Sequence, residues 1–109
     1  MENHDRLLVL LSRFHIGKGK GISAKEISAQ LGLIDKDNRA VRTLISYLRE
    51  NGIAICGTPK DGYYIAATPE ELKDTCDFLR GRAMHSLKLE ANLRRIPLPD
   101  LLGQLHLPT

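Results

Sequence analysis

The sequence predicts a mainly α protein with one small β-hairpin, in the order helix, short helix, helix, hairpin, long helix. Three observations carry this. Apolar residues recur at helical spacing in three stretches before residue 51. Two short β-type runs, 53–56 and 63–66, flank Gly57-Thr-Pro-Lys-Asp-Gly62, a six-residue stretch of turn formers. Thr68-Pro69-Glu70-Glu71 then opens a helix that can run to about Ile96, where Pro97 stops it.

Residues 4–15 predict the first helix, with Leu7, Leu10, Leu11 and Phe14 as its apolar stripe and Asn3 or Asp5 as its cap. Gly17, Gly19 and Gly21 end it in a flexible, cationic loop that carries Lys18 and Lys20. Ser23 and Glu26 form a capping box for a second helix of about two turns, with Ala24, Ile27 and Leu31 on one face and Gly32 as its C-terminal cap. Asp37 is the expected cap of the third helix. Val41, Leu44, Ile45 and Leu48 form its buried stripe, and Asn51-Gly52 closes it. Arg39, Arg42, Thr43, Ser46 and Glu50 fall on the opposite face.

In the hairpin, one of Tyr63 and Tyr64 is expected in the core and the other over the sheet. The last helix, at about 1.5 Å per residue, would be about 40 Å long, more than a small domain needs. Leu72, Cys76, Leu79, Ala83 and Leu87 line one side of it as an imperfect coiled-coil seam, and Gly81, Ala83 and Ser86 either spoil that seam or allow close approach. The expected organisation is therefore 1–67, then a long helix over 68–96 for dimerisation, then an apolar Pro/Leu tail over 97–109. One short turn is expected over Asp100 to Leu105. Leu98, Leu101, Leu102, Leu105 and Leu107 would form an exposed patch on a monomer, which argues for a second copy or a protein partner covering it.

Composition bounds the rest. A chain of 109 residues holds one modest core. With 5% aromatic residues and no Trp, that core must be aliphatic. The net charge of +3 sits wholly in residues 1–67, where 10 Lys and Arg face 7 Asp and Glu. The polar N-terminus lacks the pattern of a secretory signal, no stretch is apolar enough to span a bilayer, and two cysteines make no disulfide framework. A cytoplasmic protein is the expectation.

Residues 22–33 (ISAKEISAQLGL), 38–53 (NRAVRTLISYLRENGI) and 62–65 (GYYI) resemble the winged helix-turn-helix domains of small bacterial and phage DNA-binding proteins, of the biotin-repressor-like kind. The resemblance covers residues 5–67. It implies a winged helix-turn-helix followed by a long C-terminal helix, with no catalytic function and no cofactor. It makes the helix from Asn38 to about residue 50 the recognition helix. A major groove about 12 Å wide admits one such helix, N-terminal half first. Asn38, Arg39, Arg42, Thr43 and Ser46 would then face base edges or phosphate. The wing over 57–62 would bring Lys60, its only cation, to phosphates or the minor groove. Lys18, Lys20 and Lys25 would contact phosphate. The partners expected are double-stranded DNA and a second copy of the chain. The alternative is a winged-helix adaptor that binds protein within a larger complex.

Other chemistries are weakly supported. Cys56, Cys76, His4, His15, His85 and His106 lack zinc-ligand spacing. The glycine-rich loop lacks the spacing of a nucleotide phosphate cradle, and no nucleophile stands beside a base.

Overall fold

The computed structural model describes residues 1–34 and 37–105. Its elements are α1 (Asn3–Phe14), a 3-10 turn (Lys18–Lys20), α2 (Ala24–Leu31), α3 (Arg39–Glu50), β1 (Ile55–Thr58), β2 (Gly62–Ile65), α4 (Pro69–Arg94) and α5 (Leu98–Gln104). The protein is mainly α with one antiparallel hairpin and a long helix after it. The chain divides into two compact units, Met1–Thr75 and a second that begins at Cys76.

In the first unit the stripes read from the sequence close on one another. Leu7 and Leu11 of α1, Ile27 and Leu31 of α2, Val41, Ile45 and Leu48 of α3, with Ile22 and Ile55, form one buried aliphatic cluster. Leu10 and Leu44 are half-buried against it. Phe14, at the last turn of α1, is instead exposed.

The caps differ in detail from those expected. Glu2 stands in the cap position of helix α1 without a side-chain cap bond, and Asn3 and Asp5 both lie inside the helix. Helix α3 is preceded by Asn38 in the left-handed region, φ 55°, rather than capped by Asp37. Asn tolerates that conformation better than most residues. Ser28 of α2 holds it there by donating its hydroxyl to Asn38 Oδ1 at 3.2 Å. Ser23 caps α2 as expected, accepting the Glu26 amide at 3.1 Å.

The hairpin loop is shorter than expected. Residues 57, 58 and 62 join the ladder, with Gly57 opposite Tyr63 and Thr58 opposite Gly62, which leaves Pro59–Asp61 as a three-residue tip. The Thr58 hydroxyl donates to the Asp61 carboxylate and accepts the Asp61 amide, both at 3.1 Å. Gly62, at φ 75°, supplies the left-handed residue that such loops require. Tyr64 is buried and Tyr63 half-buried.

The loop after α1 is tied to this hairpin. Ile22 exchanges backbone hydrogen bonds with Tyr63 at 2.9 and 2.7 Å, and the amides of Gly17 and Ile65 bond to Ile65 and His15 carbonyls at 2.8 Å. The loop read as flexible is thus a strap along the outer edge of β2.

The first turns of α4 are fastened to the hairpin and belong to the first unit. The Cys56 thiol donates to the Glu71 carbonyl, and the Tyr64 hydroxyl meets that of Thr75, itself buried. Burial, ahead of the neighbouring Cys56 and Glu71, pushes the Tyr64 phenol up. Thr68 accepts the Glu71 amide at 3.2 Å, and the Glu71 carboxylate accepts the amides of Ala67 at 2.9 Å and of Lys18 at 3.1 Å. The Glu71 carboxylate therefore also anchors the strap.

These two backbone amides, Ala67 first, hold the Glu71 carboxyl below the usual carboxylate range, with the Lys18 ammonium adding to them. A carboxylate depressed in the folded state contributes its full stability above the unfolded-state value. That contribution is lost as pH falls through the folded-state value. Glu71→Gln keeps one acceptor oxygen and removes the charge. Its acid-unfolding profile, followed by circular dichroism from about pH 5 to about pH 2, should be shallower than that of the unmodified chain. An identical slope would show that the Glu71 clasp does not contribute.

In the second unit Ala91, Leu101 and Leu102 are buried and Leu98 is half-buried. The expected exposed leucine patch is thereby reduced to Leu105; Leu107 lies outside the described residues. Helix α5 begins at Leu98, ahead of the turn expected from Asp100. Helix α4 ends where Arg95 turns left-handed, φ 57°, and the Ile96 amide bonds back to the Ala91 carbonyl at 3.0 Å.

Candidate functional site

Helix α3 buries Val41, Ile45 and Leu48 and so turns residues 39, 42, 43, 46, 47 and 50 outward. Arg39, Arg42, Thr43 and Ser46 are all exposed, on the face the sequence assigns them. Arg42 is partly organised already: its Nη1 donates to the Asp37 carbonyl at 2.7 Å, which holds the guanidinium at the N-terminal end of the helix. Asn38 is half-buried and its side-chain oxygen is engaged by Ser28. Its place is therefore in the turn between α2 and α3.

Tyr47 is the residue that sequence reasoning missed. It is 45% exposed on the outward face, and its ring lies against that of His4 of α1, centroids 4.7 Å apart and planes tilted by 48°. Its spacing, one turn beyond Thr43, was the available signal. His4 in turn lies 3.4 Å from Glu2 and 3.5 Å from Asp5. Along α3 itself, Arg39 and Arg42 make the N-terminal half of the outward face cationic, and Glu50 stands at its C-terminal end. Beside the cationic half, Asn3, Leu33, Arg39, Ala40, Thr43 and Leu44 line a shallow groove of about 420 Å3.

A second group of cations gathers at the hairpin tip. Lys18 stands 3.9 Å from Asp61, so the pair is close to neutral and partly solvated. Lys20 is exposed while its carbonyl bonds His15 Nδ1 at 2.7 Å. Lys60 is exposed on the tip itself. Lys25 is exposed on the first turn of α2. The predicted contacts thus resolve into an α3 group, a hairpin-tip group and Lys25.

Of the stripe assigned to dimerisation, Leu72, Cys76, Leu79 and Ala83 are exposed and Leu87 is half-buried. Every residue from 76 to 83 is exposed, so this stretch of α4 is open on all faces. Among the described residues no three His, Cys, Asp or Glu side chains gather at metal-binding distance, and no helix is long and apolar enough to cross a membrane. Comparison with protein families, with characterised proteins and with solved structures finds no match to this chain.

Proposed function

We propose that this chain is a cytoplasmic, non-enzymatic protein of winged helix-turn-helix type that binds duplex DNA as a homodimeric regulator, of the small bacterial or phage kind its sequence resembles. The observation that supports this most is the outward face of α3. Arg39, Arg42, Thr43 and Ser46 are exposed on a helix braced from behind by three buried aliphatic residues. Arginine can meet guanine edges through two parallel hydrogen bonds, and the short polar residues fit close to base edges. The two arginines lie in the N-terminal half and Glu50 at the C-terminal end, which favours entry by the N-terminal half. Lys20, Lys25 and Lys60 serve as phosphate contacts, with Lys18 joining once phosphate displaces Asp61.

The test is fluorescence anisotropy with random-sequence duplex at about 50 and about 200 mM salt. About four phosphate contacts per protomer, about eight for the homodimer, correspond to roughly a ten-thousandfold loss of affinity across that range. Absence of binding at the lower salt would overturn the proposal.

A second reading, a protein-binding adaptor, draws on the groove beside α3, whose apolar members are Leu33, Ala40 and Leu44. It predicts no DNA affinity at either salt, so the same experiment separates the two.

A further inference from the structure

We infer that the groove beside α3 reads thymine: the C5-methyl group of a thymine in the major groove seats against Leu33, Ala40 and the methyl of Thr43. This rests on the reading above, in which α3 enters the major groove of duplex DNA. It adds the residues that fix one base of the preferred site.

The two flanks of α3 differ in chemistry. At about 100° per residue, Arg39, Thr43 and Ser46 form the outward row. Arg42 stands on one flank, and Arg49, two turns on, shares that side. Arg49 Nε donates to the Ile55 carbonyl at 2.8 Å, so this is the flank that faces the hairpin. Ala40 and Leu44 stand on the other flank. There Leu33, from the turn after α2, and Asn3, from the first turn of α1, complete the groove of about 420 Å3. Arg39 and Thr43 belong both to the outward row and to the groove wall, so the groove opens onto the reading face.

The groove is braced and mostly apolar. Leu33 and Leu44 are half-buried against the aliphatic core. Arg6 steadies the far wall: its Nη1 donates to Asn3 Oδ1 at 3.1 Å and to the Leu31 carbonyl at 3.2 Å, which ties the start of α1 to the end of α2. None of the described lining residues is acidic.

That chemistry selects the occupant. Base pairs present mostly hydrogen-bond donors and acceptors in the major groove, and the apolar group that projects there is the C5-methyl of thymine. A donor or acceptor pressed against Leu33 and Ala40 would lose its water and gain no partner. The methyl loses no hydrogen bond, and apolar surface is buried on both sides of the contact. Thymine carries its O4 acceptor beside the methyl. Thr43 carries a hydroxyl beside its own methyl, so one side chain can answer both groups.

The test starts from the site selected out of randomised duplex. Anisotropy is then measured with each thymine of that site replaced in turn by deoxyuridine, which pairs identically and lacks only the methyl. At one position in each half-site the replacement should weaken binding about fourfold, the effect of one buried methyl group. Thr43→Ser keeps the hydroxyl and nearly the same helix propensity while removing the protein's methyl. Its sensitivity to uracil at that position should fall below about twofold, because the two methyl groups are coupled. Tolerance of uracil at every thymine, or a selected site without thymine, would overturn the inference and leave α3 as the reading helix. Unchanged uracil sensitivity in Thr43→Ser would place the methyl against another part of the protein and overturn it too. Absence of duplex binding at low salt would remove the DNA reading and this inference with it, leaving the groove to a protein partner.

Discussion

Replacing Arg39 and Arg42 together with alanine is expected to remove specific duplex-DNA affinity and leave the folded state almost untouched. Each arginine able to make two hydrogen bonds to a guanine contributes about 1–3 kcal/mol of discrimination. Losing both therefore corresponds to a fall of roughly a hundredfold or more in affinity for the preferred site. The structural cost is small. Both side chains are exposed, alanine is the better helix former, and among the described residues the bond lost is from Arg42 to the Asp37 carbonyl. An exposed bond of that kind contributes about 1 kcal/mol or less. Anisotropy and thermal unfolding on the same preparation separate the outcomes. Full affinity in the double variant would show that α3 is not the reading element. Lost affinity together with a large drop in Tm would mean that the arginines hold the fold rather than the DNA.

The same argument sets a contrast with the lysines. Lys60→Ala should weaken binding about equally on all sequences and lower the salt slope by roughly one contact. Lys18 is less decisive, because its ammonium is already shared with Asp61 at 3.9 Å. A lysine engaged by a carboxylate must exchange that partner for phosphate, and the exchange lowers its net contribution.

How much of this was legible from the sequence depends on how local each determinant is. The three apolar stripes, the Ser23 cap on the Glu26 amide and the start at Thr68-Pro69 were legible because helical spacing and caps act within a few residues. The outward face of α3 followed as the complement of its buried stripe. What failed was decided at a distance. Asp37 and Asn38 are adjacent candidates for the same turn, and Ser28, ten residues away, settles the choice. The hairpin tip shortened because Thr58 and Asp61 bond to one another and draw their neighbours into the ladder. Tyr47 carries no polar signal of its own until His4 lies against it from another helix. The leucines of the tail read as exposed by composition, yet Leu101 and Leu102 are buried in the folded chain. The glycine-rich loop, read as a flexible connector with phosphate-binding lysines, is held down by bonds to a strand more than forty residues later.

That last point leads to the largest stability effect expected in this protein. Gly21→Ala should be strongly destabilising, while Gly19→Ala, two residues earlier in the same loop, should be nearly neutral. Gly21 has an ordinary extended backbone, so alanine suits its φ and ψ. The obstacle is space: a Cβ there would overlap the carbonyl oxygen of Asp61, a backbone atom at the hairpin tip that has no rotamer to retreat into. Gly62, opposite, is also tight, with a Cβ falling 2.8 Å from the backbone of Ile22, and it needs its positive φ as well. The two glycines therefore let the strap and the hairpin meet backbone to backbone, and the Ile22–Tyr63 hydrogen bonds form across that contact. A Cβ at position 21 forces these apart or bends the tip, a cost of about 1–3 kcal/mol for overpacking, plus about 1 kcal/mol for each hydrogen bond lost. Gly19 meets nothing within 4 Å, and alanine there reduces the freedom of the unfolded chain, an effect of a few tenths of a kcal/mol in the opposite direction. Urea unfolding of the two variants would read this directly. Equal stabilities would mean that the strap is not seated on the hairpin. If Gly21→Ala alone is unstable, the hairpin tip is held by the strap, and its DNA affinity should fall along with its stability even though no residue proposed to touch DNA has changed.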